Sequence, residues 1–417
     1  MANDGHYDAL ETRSPDEREA ALFAALQSQL AHAKAHAPYF REVLDGVDPA
    51  AVTDRAALAA LPVTRKSDLV DLQSPGHTLG GMTTARDGLL KRIFQSPGPT
   101  YDPEGFGDDW WGTARGLYAA GFRTGDVMHN SFAYHLTPAG HMMEAGAHAI
   151  GCAVVPAGVG NTDLQVRAMA HIRPTGYCGT PSFLKILLEK GAELGVDLST
   201  LAKAAVGGEP LLPDQRAAFD AAGIDAYNIY ASADIGLIAY ESPAREGLIL
   251  EEGLILEIVR PGTGDPVPDG EVGEVVLTMP FNKDYPLIRF ATGDMSAVMA
   301  GASPCGRTNA RIKGWMGRAD QAAKVKGMFV HPRQIADIVK RHPDIERARM
   351  VVTRDGDQDA MTLKIEAAAA VADAGFLDAV GETIHAVCKL HGAVEPVAPG
   401  SLPNDGKVID DTRDKPA

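Results

Sequence analysis

Short β-rich runs alternate with helical segments from about residue 90 to 300, and this alternation restricts the chain more than any other feature. CAVVPA, TGYCGT, AKAAVGG and DAYNIY are each followed by a helix or loop, with helices expected at 163–171, 181–190 and 213–222. Strands joined through helices run parallel, because each crossover returns the chain to the same end of the sheet. The expected fold is therefore α/β, a large N-terminal domain around a mostly parallel sheet. LILEIVRP and EVVLTMP flank the turn-rich TGDPVPDGEVG, so a β-hairpin subdomain is expected within 248–279. Upstream, Ser14, Pro15 and Glu17 make a capping box ahead of the stripe Leu22, Leu26, Leu30, a helix that ends near Pro38. A second cap-like stretch, Thr64-Arg-Lys-Ser-Asp-Leu, follows LPV. After GRAD at 317–320 the order becomes β-α-β-β-α-β, a small α+β domain whose last helix is expected to stop at Gly392. The domains expected are 1–318 and 319–417.

A chain of 417 residues suggests two or three domains and buries a large core without staples. Lys+Arg total 39 against Asp+Glu 55, a formal charge of -16, which argues against a nucleic-acid or anionic-membrane binder. Cys152, Cys178, Cys305 and Cys388 form no C-x-x-C pair, as expected of thiols in a reducing compartment. No basic-then-apolar leader and no long apolar run is present, so a cytoplasmic location is expected.

Single motifs are weak. Gly158-x-Gly160 after a strand imitates a dinucleotide fingerprint, but Asp163 stands where the third glycine belongs. No G-x-S-x-G elbow occurs. His135, His141, Glu144 and His148 share one helical stretch, where histidines are more often core or pocket residues than ligands. Thr292-Gly293-Asp294, Gly207-Gly208-Glu209-Pro210 and Lys407 each read, in isolation, as turn, loop and solvated charge.

Their order is specific. VVPAGVGNTDLQVRAMAHIRPTGYCGTPSFLKILLEK, AYNIYASADIGLIAYES, PLIRFATGD, GRADQAAKVKGMFVHPRQI and GSLPNDGKV follow one another at the separations found in the phenylacetate-CoA ligase branch of the adenylate-forming acyl-CoA synthetases. The chain resembles that family over nearly its whole length. The resemblance implies ATP, Mg²⁺ and coenzyme A as cofactors, a small carboxylic acid as substrate, a mobile C-terminal lid, and plausibly a homodimer. It implies catalytic roles for Lys407, Asp234 and Arg318, with Asp234 also holding the metal. It places the nucleotide and coenzyme A at Gly207, Gly208, Glu209, Pro210, Tyr230, Arg289, Asp294, Asp320 and Gly327, with Ser96 and Thr100 in the phosphate loop. Tyr134, His135, Thr137, Ile229, Ala231 and Ile235 are the expected acid pocket, a mostly apolar slot.

Departures from the family pattern are as informative. The phosphate-loop segment, QSPGPTYDPEG at 95–105, keeps Ser96, Gly98 and Thr100 but has no lysine, and carries Asp102 and Glu104. A carboxylate about 6 Å from a phosphate charge costs on the order of 1.4 kcal/mol at an effective dielectric near 40. The family's metal-binding glutamate is the shorter Asp234, after Ala233. Only Cys305 remains of a zinc knuckle, with Ser242 and Ile249 at two other ligand places, so no structural zinc is expected. The leading expectation is an AMP-forming acid–CoA ligase for an aromatic or similarly compact carboxylate. An adenylate-forming enzyme with another acceptor, and a nucleotide- or acyl-CoA-binding homologue impaired in catalysis, remain as alternatives.

Overall fold

The computed structural model describes residues 5–96, 100–319, 323–326, 328–355, 358–368, 373–403 and 407–413. Its largest sheet has nine strands. Five are parallel, in the spatial order Asp225–Ser232, Lys203–Val206, Gly176–Gly179, Val127–Asn130, Ala153–Pro156. Beyond Asp225–Ser232 the sheet turns antiparallel, through Gly236–Glu241, Leu248–Leu250, Arg311–Ile312 and Val298–Met299. The expected mostly parallel sheet is thus parallel in one half only. The reason is local: only Ala233, Asp234 and Ile235 connect Ser232 to Gly236, too short a link for a crossover. Gly236 is needed at the return. Its φ is +89°, and a Cβ there would lie 2.4 Å from the Trp111 carbonyl oxygen.

Helices Thr162–Ile172, Pro181–Leu194 and Pro213–Ala221 follow the strands that precede them in sequence, as expected. The N-terminal helix Pro15–His36 has the Ser14/Glu17 capping box and buries Leu22, Leu26 and Leu30. Each fully buried leucine contributes roughly 1.5–3 kcal/mol. Their neighbours include Ile255 and Leu277, from the hairpin Ile255–Val259 and Gly273–Thr278, and Leu254 just before it. That hairpin continues into Phe290–Ser296, which pairs in parallel with Thr64–Arg65. The stretch expected to begin a helix therefore first supplies an edge strand, and the helix Leu69–Leu72 follows it.

Residues beyond 323 build a separate apolar cluster, including Val330, Ile338, Met350, Leu363 and Ile384. Its sheet runs Ala393–Val397, Gln358–Ala367, Ile345–Asp355, Ile409–Asp411, alongside a small hairpin of Ala323–Val325 and Met328–Val330. The last helix, Ala374–Cys388, ends earlier than expected. Lys389 takes the left-handed conformation at φ 57°, donating its N–H to His385 O. Gly392 instead lies where a Cβ would press within 3.1 Å of Met361.

Candidate active site

The parallel strands end on one side in the loops 131–138, 157–161 and 207–211. Ligands of open α/β sheets bind beyond such carboxyl ends. A cleft of about 580 Å³ opens there, where the sheet changes from parallel to antiparallel. It is lined by Gly208, Glu209, Pro210, Ile229, Tyr230, Ala231 and Asp294, all expected site residues, and by Asn228, Lys313 and Trp315. Gly207 forms the adjoining turn: its N–H donates to Gly179 O at 3.2 Å, and a Cβ there would meet Ile229 O at 2.5 Å. Glu209 Oε1 accepts the Ser182 N–H at 2.7 Å, which anchors the loop to the start of helix Pro181–Leu194.

Asp294 is the hub of the cleft. The Tyr230 hydroxyl donates to Asp294 Oδ2 at 2.8 Å, and the Trp315 indole N–H and Arg318 donate to Oδ1 at 3.1 and 3.0 Å. Burial first, and the Asp294 carboxylate second, push the Tyr230 phenol well above its ordinary pKa. Tyr230 therefore stays a neutral donor. Trp315 was not foreseen; its only sequence signal is that the chain has 3 tryptophans and one stands two residues before the GRAD motif.

A second cluster adjoins the first. Asp234, in the tight link after Ser232, is fully buried and bonds to the ammonium of Lys66. Lys66 follows the edge strand Thr64–Arg65, and the cap-like reading of this stretch missed it. Burial opposes its charge, but Asp234 and then Asp102 hold the ammonium above its ordinary range. Asp102 is fully buried against Asp234 and accepts the Ser96 hydroxyl. Burial, then Asp234, push the Asp102 carboxyl upward. The segment expected as a phosphate loop is a β-hairpin, Arg92–Ser96 against Thr100–Glu104, with Thr100 buried at its end. Repulsion from Glu104 is not present as expected, because Lys91 and Arg92 pair with it at 2.9 and 2.8 Å.

The remaining expected residues separate. The structure does not bring Arg289 to this cleft. Its five N–H groups are taken by Glu257 (3.0 and 2.9 Å) and by the carbonyls of Ala59 (2.7 Å), Leu61 (2.5 Å) and Gly264 (2.7 Å). Ile235 points into the apolar core rather than a pocket. Tyr134 accepts from Asn130 at 2.8 Å and donates to Glu144 at 2.9 Å, with the His141 ring edge-on at 5.0 Å. His135 is exposed and Thr137 half-buried on the same loop. The Gly158–Gly160 turn is closed by Gln165, whose amide donates to both carbonyls at 2.9 and 2.7 Å. Lys407 lines another crevice, with Arg260, Gly262 and Lys340, and pairs with Asp410 at 3.3 Å. Asp320, Gly327, Gly98 and Gly406 lie outside the described residues. Cys305 bonds to Ser303 at 3.1 Å, Ser242 adds a further hydrogen bond to the thiol, and Ile249 is buried.

Residues 113–282 match the AMP-binding enzyme family, and 327–413 match the AMP-binding enzyme C-terminal domain. Among solved structures, a 2-hydroxyisobutyryl-CoA ligase in complex with 2-HIB-AMP and CoA shares the fold, with a TM-score of 0.70 at 23% identity over 99% of this chain and 95% of that one. Fold, cleft and matches define an adenylate-forming enzyme. The chain is also 31% identical over 379 residues to the phenylacetate-coenzyme A ligase of Aromatoleum evansii, spanning 87% of this chain and 84% of that protein. Over 374 residues it is 32% identical to the phenylacetate-coenzyme A ligase of Thermus thermophilus, spanning 86% and 83%. The chain belongs to the phenylacetate-coenzyme A ligase family of AMP-forming acyl-CoA ligases. Among the described residues no helix is long and apolar enough to cross a membrane.

Proposed function

We propose that this ligase activates an aromatic or similarly compact carboxylic acid. The acid's carboxylate oxygen attacks the α-phosphorus of ATP, pyrophosphate leaves, and an acyl-adenylate remains. The coenzyme A thiolate then attacks the acyl carbon and AMP leaves. The observation that carries this reading is the Asp294 hub in a cleft of nucleotide size. Asp294 accepts both ribose hydroxyls, the Gly207–Pro210 loop and Tyr230 wall the adenine, and Arg318 reaches the ribose or phosphate. Asp234 suits Mg²⁺: it is a buried carboxylate whose Oδ1 has no hydrogen-bond partner among the described residues. The ion would supply charge neutralisation at the ATP phosphates. Lys407 acts from residues 319–417, turned so that its ammonium meets the charge developing at the α-phosphate.

The test is pyrophosphate release across a panel of aryl acids, with and without coenzyme A. Release that needs both the acid and coenzyme A supports the proposal. Release without a coenzyme A requirement points to another acceptor, and nucleotide binding without release to a binding protein. A narrower test addresses the hub. Asp294→Ala is expected to weaken ATP and AMP binding at least about tenfold, a loss of roughly 1.5–3 kcal/mol. Calorimetry showing an unchanged nucleotide dissociation constant in a folded variant would remove Asp294 from the ribose site.

A further inference from the structure

A carboxylate offers about four acceptor positions, two on each oxygen. At Asp294 the Arg318 guanidinium and the Trp315 indole N–H take both positions on Oδ1, at 3.0 and 3.1 Å, and the Tyr230 hydroxyl takes one on Oδ2 at 2.8 Å. Among the described residues that leaves one position, whereas a ribose brings two hydroxyls. One of the three donors therefore gives way when both hydroxyls bind. They are not equally free to leave. Tyr230 stands on the strand Asp225–Ser232, and its ring packs against the apolar core. Arg318 forms an ion pair with Asp294 and also donates to Thr292 O at 3.4 Å, while the next residue, Ala319, donates its N–H to Gly293 O at 2.6 Å. Trp315 is neutral and 51% exposed at the rim of the cleft. The backbone on either side of it is fixed, with Lys313 N–H on Ala297 O at 3.0 Å and Met316 N–H on Met295 O at 2.8 Å. The indole can thus leave by rotation of its own side chain, without a loop opening.

We propose that Trp315 is a stand-in for one ribose hydroxyl: its indole N–H holds Asp294 Oδ1 until a nucleotide binds and is then exchanged for that hydroxyl, so that Trp315 sets how strongly the cleft prefers a ribonucleotide to a 2′-deoxyribonucleotide. A ribonucleotide gains two hydrogen bonds to Asp294 and gives up one. A 2′-deoxyribonucleotide gains one at the open position and gives up none. With the indole present, the two nucleotides are therefore held almost equally by Asp294. With the indole N–H removed, the ribonucleotide keeps both gains. The exchange rests on the reading of Asp294 as the ribose acceptor.

The experiment titrates AMP and 2′-deoxy-AMP into wild-type, Trp315→Phe and Asp294→Ala protein by calorimetry. Phenylalanine keeps a ring and removes the N–H. AMP is expected to bind Trp315→Phe about three- to tenfold more tightly than wild type, the worth of one hydrogen bond no longer given up. 2′-Deoxy-AMP is expected to bind the two proteins alike. A packing role for the indole would move both nucleotides together, so equal shifts overturn the exchange, as does AMP affinity that is unchanged or weaker. The indole N–H resonances give an independent reading. The chain has 3 tryptophans, and the signal missing from Trp315→Phe marks Trp315. At saturating AMP that proton is expected to exchange with water as fast as a free indole N–H, and protection unchanged by AMP overturns the exchange. The Asp294→Ala titration separates the two readings. Equal AMP affinity in wild type and Asp294→Ala removes the ribose site and the exchange with it. A loss in Asp294→Ala with no gain in Trp315→Phe overturns the exchange alone.

Discussion

Replacing Lys407 by alanine is expected to slow acyl-adenylate formation by about 10²–10³-fold, equivalent to about 3–4 kcal/mol of lost charge stabilisation. Transfer from a supplied acyl-adenylate to coenzyme A is expected to change by no more than about a few-fold, because a withdrawn lysine stabilises nothing in that step. Lys407 is half-exposed, pairs with Asp410 three residues on, and lines a crevice with Arg260 rather than the Asp294 cleft. The proposed role therefore requires the C-terminal residues to move before its charge meets the nucleotide. Rapid-quench measurement of the two half-reactions checks this. Equal losses in both would make the lysine structural; no loss in either would remove it from the chemistry.

Arg289→Met is expected to lower the unfolding free energy by about 3–5 kcal/mol, the cost of stranding one partner of a buried ion pair. Glu257 and the carbonyls of Ala59, Leu61 and Gly264 would all lose their donor together. The residue is only 2% exposed and has a backbone φ of 45°, so the side-chain contacts also hold a left-handed backbone that a non-glycine residue rarely adopts. Urea unfolding measures the loss. In the fraction that folds, the KM for ATP should be unchanged, because no donor of Arg289 is available to a nucleotide. A raised KM with normal stability would return Arg289 to the cofactor site.

Sequence reading succeeds with short-range signals and stops at contacts between distant segments. The capping box of Ser14 and Glu17, and the strand–helix alternation through 225, are short-range signals, and the structure carries them almost residue for residue. The loop Gly208–Pro210, Tyr230 and Asp294 were legible as ordered motifs, and they line one cleft. Lys66 was not legible as part of the site. It is separated from Asp234 by 168 positions, and nothing local distinguishes a cap from a buried ion-pair partner. Asp102 was read as a phosphate repellent because its contacts with Asp234 and Ser96 are tertiary. Arg289 sits in a strong motif, yet the motif alone does not say whether its side chain serves a ligand or the fold. The antiparallel half of the sheet turned on a connection of three residues, which alternation over ten-residue windows does not resolve.

The pairing of Thr64 with Phe290 and Arg65 with Ala291 fixes more than a sheet edge. It sets Lys66, the residue after the edge strand, level with Thr292 inside the strand Phe290–Ser296, two residues before Asp294. Along a hydrogen-bonded ladder a shift of one residue reverses which face every side chain occupies. Deleting or inserting a single residue between Leu61 and Thr64 would therefore do what no single substitution there can: it would turn Lys66 away from Asp234 while leaving Asp294 in place. This short segment should tolerate changes of residue type far better than changes of length. Between Leu61 and Lys66 it is chain length, more than the identity of Pro62 and Val63, that holds the ammonium on Asp234.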